Sequence, residues 1–172
     1  MNEAEFEAVY REQWPVLVGQ LVLLCGDRTE AADCVQEAFA RGWQHRRSLE
    51  ADAGGWLRTT AARVAVSRWR KRRSAAVAWS RWGARQGATS TEVEPGLGAG
   101  SPLAVALQQL PVRQREVVVL HHVLDLSVAQ VADLVGAPTG SVTVWLSRGR
   151  AQLARSIGGA PTGVVATEER AS

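Results

Sequence analysis

Every patterned stretch of this sequence has its apolar residues at helical spacing, which limits the chain to an all-α fold. Over 3–24, Phe6, Val9, Tyr10, Leu17, Leu21 and Leu24 fall mostly on one face. Pro15 either kinks that helix or starts a second one. Asp27 followed by Glu30 forms a capping-box signature and opens a helix to about Trp43, with Ala32, Val35, Phe39 and Trp43 turned inward. Residues 45–55 read as a loop. A third helix over 56–73 turns Leu57, Ala61, Val64 and the stem of Arg68 to the core.

The helical pattern lapses over 74–101, where Ala, Gly, Ser and Thr dominate and Glu94-Pro95-Gly96 and Ser101-Pro102 break structure. This is expected to be a flexible linker. Trp79 and Trp82 either cap a groove or extend the preceding helix by a turn or two. Beyond it come a short helix over 103–110, a helix over 112–124 after Pro111, and a helix opened by the Ser127-to-Gln130 capping box. Gly136-Ala137-Pro138 is a turn. The last helix runs over about 139–157 with Val142, Leu146, Gly149 and Leu153 inward. The expected organisation is therefore two small helical domains, 1–73 and 102–157, joined by a linker over 74–101 and followed by a disordered tail over 158–172.

Charge is segregated along the chain. Residues 1–40 hold two basic side chains against eight acidic ones, whereas residues 41–73 hold ten against two. An acidic block beside a basic block suggests two partners of different charge, the basic one suited to a polyanion. The acidic N-terminus lacks a signal-peptide pattern and no stretch is long and apolar enough to insert in a membrane, so the protein is expected in the cytoplasm. Cys25 and Cys34 are too few for a disulfide framework, no Cys/His set has zinc spacing, and each reads as a small buried hydrophobe. No cofactor or metal is expected.

Two constellations carry function. The helix pair around Gly136 has the form of a helix-turn-helix, whose second helix enters the major groove of DNA. Its outer face offers Ser141, Thr143, Val144, Trp145, Ser147, Arg148 and Arg150. Arg148 and Arg150 suit phosphates. Upstream, Arg63, Arg68, Arg70, Lys71, Arg72 and Arg73 crowd one helix end among Trp56 and Trp69. Cations that track phosphates, interleaved with rings that stack on bases, suit single-stranded or melted DNA. Each set also has a plainer reading, as a helical bundle with a solvated basic end and as core tryptophans beside a charge run. His45, His121 and His122 are the chain's histidines, and none sits in a recognisable Ser, Cys or Asp constellation, so a structural role is favoured over an enzymatic one.

Four strings in order, over 26–43, 56–73, 110–120 and 126–153, resemble the extracytoplasmic-function (ECF) sigma factors of the sigma-70 family, small two-domain subunits of bacterial RNA polymerase. The resemblance implies a factor that binds core polymerase, reads the −10 and −35 promoter elements and aids melting. It places Asp33, Gln36, Glu37 and Arg41 on the surface that docks on the clamp helices of the largest polymerase subunit. It places Arg46, Arg47, Trp56, Arg63, Arg68, Trp69, Arg70 and Arg72 at the −10 element, with the loop 45–52 capturing a flipped base. The outer face of the last helix reads −35 duplex. An anti-sigma factor that buries both domains is a further family expectation.

The chain departs from the family pattern in three places. It has Arg63 and Ser67 where Asn and Asp are usual, Thr143, Val144 and Trp145 where Lys, Ser and Arg are common, and Gln130 where Glu is usual. Trp145 lacks the bidentate guanine contact an arginine makes. These departures keep open a second reading, a sigma-like DNA-binding regulator that does not itself direct initiation.

Overall fold

The computed structural model describes residues 1–49, 52–81 and 101–158, with side chains over 73–81 outside that description. Seven α-helices and no strand occur among these residues: α1 (Glu3–Cys25), α2 (Arg28–His45), α3 (Ala53–Arg81), α4 (Pro102–Gln108), α5 (Val112–Val118), α6 (Val128–Val135) and α7 (Thr139–Gly158). A 3-10 turn, Arg46–Ser48, follows α2, and a π-helical turn, Val119–Val123, prolongs α5.

Helix starts follow local chemistry. Asn2 accepts from the Glu5 amide at 2.9 Å while the Glu5 carboxylate accepts from the Asn2 amide at 2.7 Å, a reciprocal cap that the sequence reading missed. Asp27 accepts from the Glu30 amide at 2.7 Å, but the Glu30 side chain pairs with Arg72, so only half of the expected capping box forms. Ser127 and Gln130 make the full box, at 3.2 and 2.8 Å. Pro15 neither breaks α1 nor starts a second helix; it lies inside α1 on an exposed side. Pro111 is the N-cap of α5 rather than a first-turn residue.

α1, α2 and α3 pack through Phe6, Leu17, Leu21, Val35, Phe39, Leu57 and Ala61, all buried. α4 to α7 pack around Leu107, Val117, Leu120, Val131, Val135 and Val142. α6 ends at Gly136 in the left-handed conformation (φ 63°), which a side chain adopts only at a cost, and this sets the turn into α7. α7 lies close on α5 at Gly149, where a Cβ would meet Val118 Cγ2 at 2.8 Å. α3 continues to Arg81, past the expected boundary at 73, so the extension over 74–81 is helix. Trp82 and the rest of the expected linker, and the tail from 159, lie outside the described residues, as does the side chain of Trp79.

Candidate polymerase and nucleic-acid interfaces

α2 is amphipathic about a buried seam of Cys34, Val35, Ala38 and Phe39. That seam turns Asp33, Gln36 and Arg41 outward and leaves Glu37 half-buried. Glu37 is a hub. One carboxylate oxygen accepts from Arg41 one turn on, and the other accepts from Arg68 Nη2 of α3 at 2.8 Å. The Arg68 hydrogen bond holds the Glu37 carboxyl below its usual range against the opposing effect of burial, and raises Arg68 in return. Asp33 lies 3.9 Å from the same guanidinium. Asp27, Thr29, Glu30 and Asp33 of the α2 end face Arg68, Lys71 and Arg72 across an open groove.

This divides the −10 set expected from sequence. Arg68 and Arg72 point at the acidic side of α2, paired with Glu37 and Glu30, instead of standing free beside the other cations. Trp69 is half-buried in a cleft with Leu24, Val66, Val112, Arg115 and Glu116. Arg70 donates Nη2 to the Leu134 carbonyl of α6 at 2.8 Å. Arg47 and Arg63 are exposed. Arg46 lies over the Trp43 ring, 4.0 Å from its centroid, and donates to the Trp43 carbonyl at 2.9 Å. Trp56 packs half-buried on the core, 6.3 Å from the His45 ring.

Trp43 itself is a correction. Expected inside, it is 38% exposed, edge-on to Phe6 and covered on one side by Arg46. Tyr10 is likewise 40% exposed, packed on Trp14 and Phe39. Cys34 is buried as expected, and Cys25 is half-buried beside it; their contact and burial raise the Cys25 thiol.

In the C-terminal half, buried Val142, Leu146 and Gly149 fix the rotation of α7. That rotation exposes Thr143, Val144, Ser147, Arg148 and Arg150, and leaves Ser141 and Trp145 half-buried. The Thr143 hydroxyl donates to the Thr139 carbonyl at 3.0 Å. Trp145 packs on the core with the Arg113 guanidinium 5.9 Å from its ring centroid. His121 Nδ1 lies 2.6 Å from the Leu126 carbonyl, in the turn before α6. Burial lowers the His122 imidazole, with His121 and Arg150 adding to the effect.

A helix with an exposed polar face, a basic-aromatic helix and a helix-turn-helix thus follow one another in one chain. Sigma-70 region 2 matches residues 9–75, and Sigma-70, region 4 matches residues 102–153, together more than two thirds of the chain. The chain belongs to the sigma-70 family. As a sigma factor, it directs promoter-specific transcription by RNA polymerase. Its fold is similar to that of the sigma factor RpoE from Bartonella quintana, solved in complex with the anti-sigma factor NepR. The TM-score is 0.62 and the identity 22%, over 91% of this chain and 98% of that chain. No curated protein sequence matches this chain. No helix among the described residues is long and apolar enough to cross a membrane.

Proposed function

We propose that this sigma factor divides its work among three surfaces. The outward face of α2, with Asp33, Gln36, Glu37 and Arg41, docks on the clamp helices of the largest polymerase subunit. The turn 46–48, with Arg46, Arg47, Trp56 and Arg63, tracks the melted −10 strand, where cations meet phosphates and rings meet unstacked bases. α7 lies in the major groove at −35, with Thr143 and Val144 against thymine methyls and Arg148 and Arg150 on phosphates. Arg68 and Arg72 shape the α2 surface in preference to contacting DNA, because their partners already lie on α2. The two working units are 1–73, prolonged by the end of α3, and 102–157.

The exposed face of α7 carries this reading. Its rotation is set by buried residues, and its exposed positions Thr143, Val144, Ser147, Arg148 and Arg150 are polar or basic apart from Val144. The factor contributes no bond-making chemistry of its own, works in the cytoplasm, and is held in reserve by an anti-sigma factor, as the RpoE–NepR complex exemplifies for a similar fold. Run-off transcription with core polymerase on a genomic promoter library is expected to give starts absent with core alone. Permanganate footprinting is expected to show melted thymines at those starts. DNA binding without melting, or no retention of core enzyme in a pull-down, would refute the assignment.

A further inference from the structure

The chain's two cysteines meet in the fold. Cys25 is the last residue of α1, and Cys34 lies on the buried seam of α2. Gly26, left-handed at φ 77°, and the Asp27 cap turn the chain back between them, so the end of α1 lies beside the first turns of α2. There the Cys25 and Cys34 thiols are in hydrogen-bond contact. Cys34 is fully buried, whereas Cys25 is half-buried and keeps part of its surface in solvent. Read from sequence, each is a small core hydrophobe; the packing of α1 on α2 makes them a pair.

The surroundings of the pair are largely basic. Arg72 of α3 and Arg115 of α5 face Cys25, and Arg68 of α3 faces Cys34. Asp27 acts on Cys25, and Asp33 and Glu37 act on Cys34, in the opposite sense. Two of these carboxylates are engaged elsewhere, since Asp27 caps α2 and Glu37 accepts from Arg68. Contact with Cys25 lowers the Cys34 thiol against its burial, and Arg68 adds to the effect. Loss of one proton from the pair thus leaves a thiolate to which the other thiol donates. A thiolate that touches a second thiol, is flanked by guanidinium groups and meets solvent at one sulfur has the setting of a reactive pair.

We propose that Cys25 and Cys34 are an oxidation site, at which a hydroperoxide converts the pair into an intramolecular disulfide that clasps α1 to α2. The thiolate of the pair attacks one peroxide oxygen. The O–O bond breaks, and the departing oxyanion takes up a proton. The second sulfur then attacks the resulting sulfenic acid; the S–S bond forms, the S–O bond breaks and water leaves. The peroxide gains the two electrons that the sulfurs lose. A small thiol reverses the step by exchange and is itself oxidised to its disulfide. In a reducing compartment the clasp therefore closes only while oxidant is present. The closed loop over 25–34 restricts the unfolded chain, so the helix hairpin that carries Asp33 and Glu37 becomes harder to open.

The sequence makes the product simple to read. Trypsin cuts after Arg11, Arg28 and Arg41, so Cys25 falls in the peptide 12–28 and Cys34 in the peptide 29–41. After hydrogen peroxide treatment of the full chain, the expected product is a monomer lighter by two hydrogens. Its digest is expected to hold 12–28 joined to 29–41 until dithiothreitol separates them. Its urea midpoint is expected to rise by about 1 M and to return on reduction. Cys25→Ser changes the half-buried member and leaves Cys34 in the core. The midpoint of that variant is expected not to respond to peroxide, which controls for oxidation of Met1 and the tryptophans. Absence of the joined peptides, or their presence in a dimer alone, overturns the proposal. So does a disulfide monomer no more resistant to urea than the reduced chain, or an equal rise in Cys25→Ser.

Discussion

Gly149→Ala tests whether the recognition helix is held at the height the structure gives it. In an ordinary helix this change stabilises by about 1 kcal/mol, because alanine loses less backbone freedom than glycine. Here the new Cβ would stand 2.8 Å from Val118 Cγ2 and 3.4 Å from Gln114 Cβ. Carbon atoms settle at about 3.5–4.0 Å, so α7 must lift by close to 1 Å or Val118 must turn. Val118 is β-branched, helical and 4% exposed, so it does not turn freely. Overpacking of this kind costs about 1–3 kcal/mol, which cancels or outweighs the propensity gain and leaves a net loss of up to about 2 kcal/mol. The assay is urea unfolding of four proteins: wild type, Gly149→Ala, Val118→Ala and the double variant. Removing Cγ2 removes the obstacle, so in the Val118→Ala background Gly149→Ala is expected to be neutral or stabilising. The lifted helix in the single variant is also expected to weaken −35 duplex binding, read by fluorescence anisotropy. If Gly149→Ala stabilises the wild-type background by the full propensity gain, with no coupling to Val118, the close packing of α5 on α7 is wrong.

Three further outcomes follow from named contacts. Ser127→Ala removes the acceptor for the Gln130 amide and the partner of a reciprocal cap, and is expected to cost about 1 kcal/mol in thermal or urea unfolding; no change would mean that α6 does not depend on its box. Glu37 has its carboxyl held below the ordinary value of 4.5, chiefly by Arg68, so its stabilisation is present above that value and is lost as pH falls through the lowered one. Urea midpoints of wild type and Glu37→Gln are therefore expected to differ near neutral pH and to converge in acid, and a gap that widens on acidification would reverse the assignment. Arg148→Ala is expected to weaken −35 duplex binding about equally across sequences and to make the slope of log affinity against log salt shallower by ~0.9, the value for one lost phosphate contact; a sequence-selective loss would instead make Arg148 a base reader.

Helix identity, the main apolar faces and the last helix's outward side were legible because each depends on local periodicity. Val142, Leu146 and Gly149 are four and three residues apart, and that spacing alone turns Thr143, Val144, Ser147 and Arg148 outward. Capping was legible where both partners are local, as at Ser127 and Gln130, and failed where a distant cation took one of them, as Arg72 takes Glu30. The fate of the basic block was not legible for the same reason. Arg68, Trp69, Arg70 and Arg72 sit within five positions of one another, yet α3 turns them toward two different neighbours. Arg68 and Arg72 meet Glu37 and Glu30 on α2, while Trp69 and Arg70 meet residues beyond position 110.

A run of cations read from sequence states total charge and leaves its distribution open. That distribution is set by helical rotation, about 100° per residue, combined with which element packs on each side. One side of α3 thereby pairs with α2 and the other with the C-terminal half. The same helix therefore ties together the surfaces proposed for core enzyme, for −10 DNA and for −35 DNA. A perturbation that moves α3 is expected to move all three, whereas Arg63, exposed on α3, and Arg47, exposed in the turn after α2, are the positions at which −10 affinity is expected to change alone.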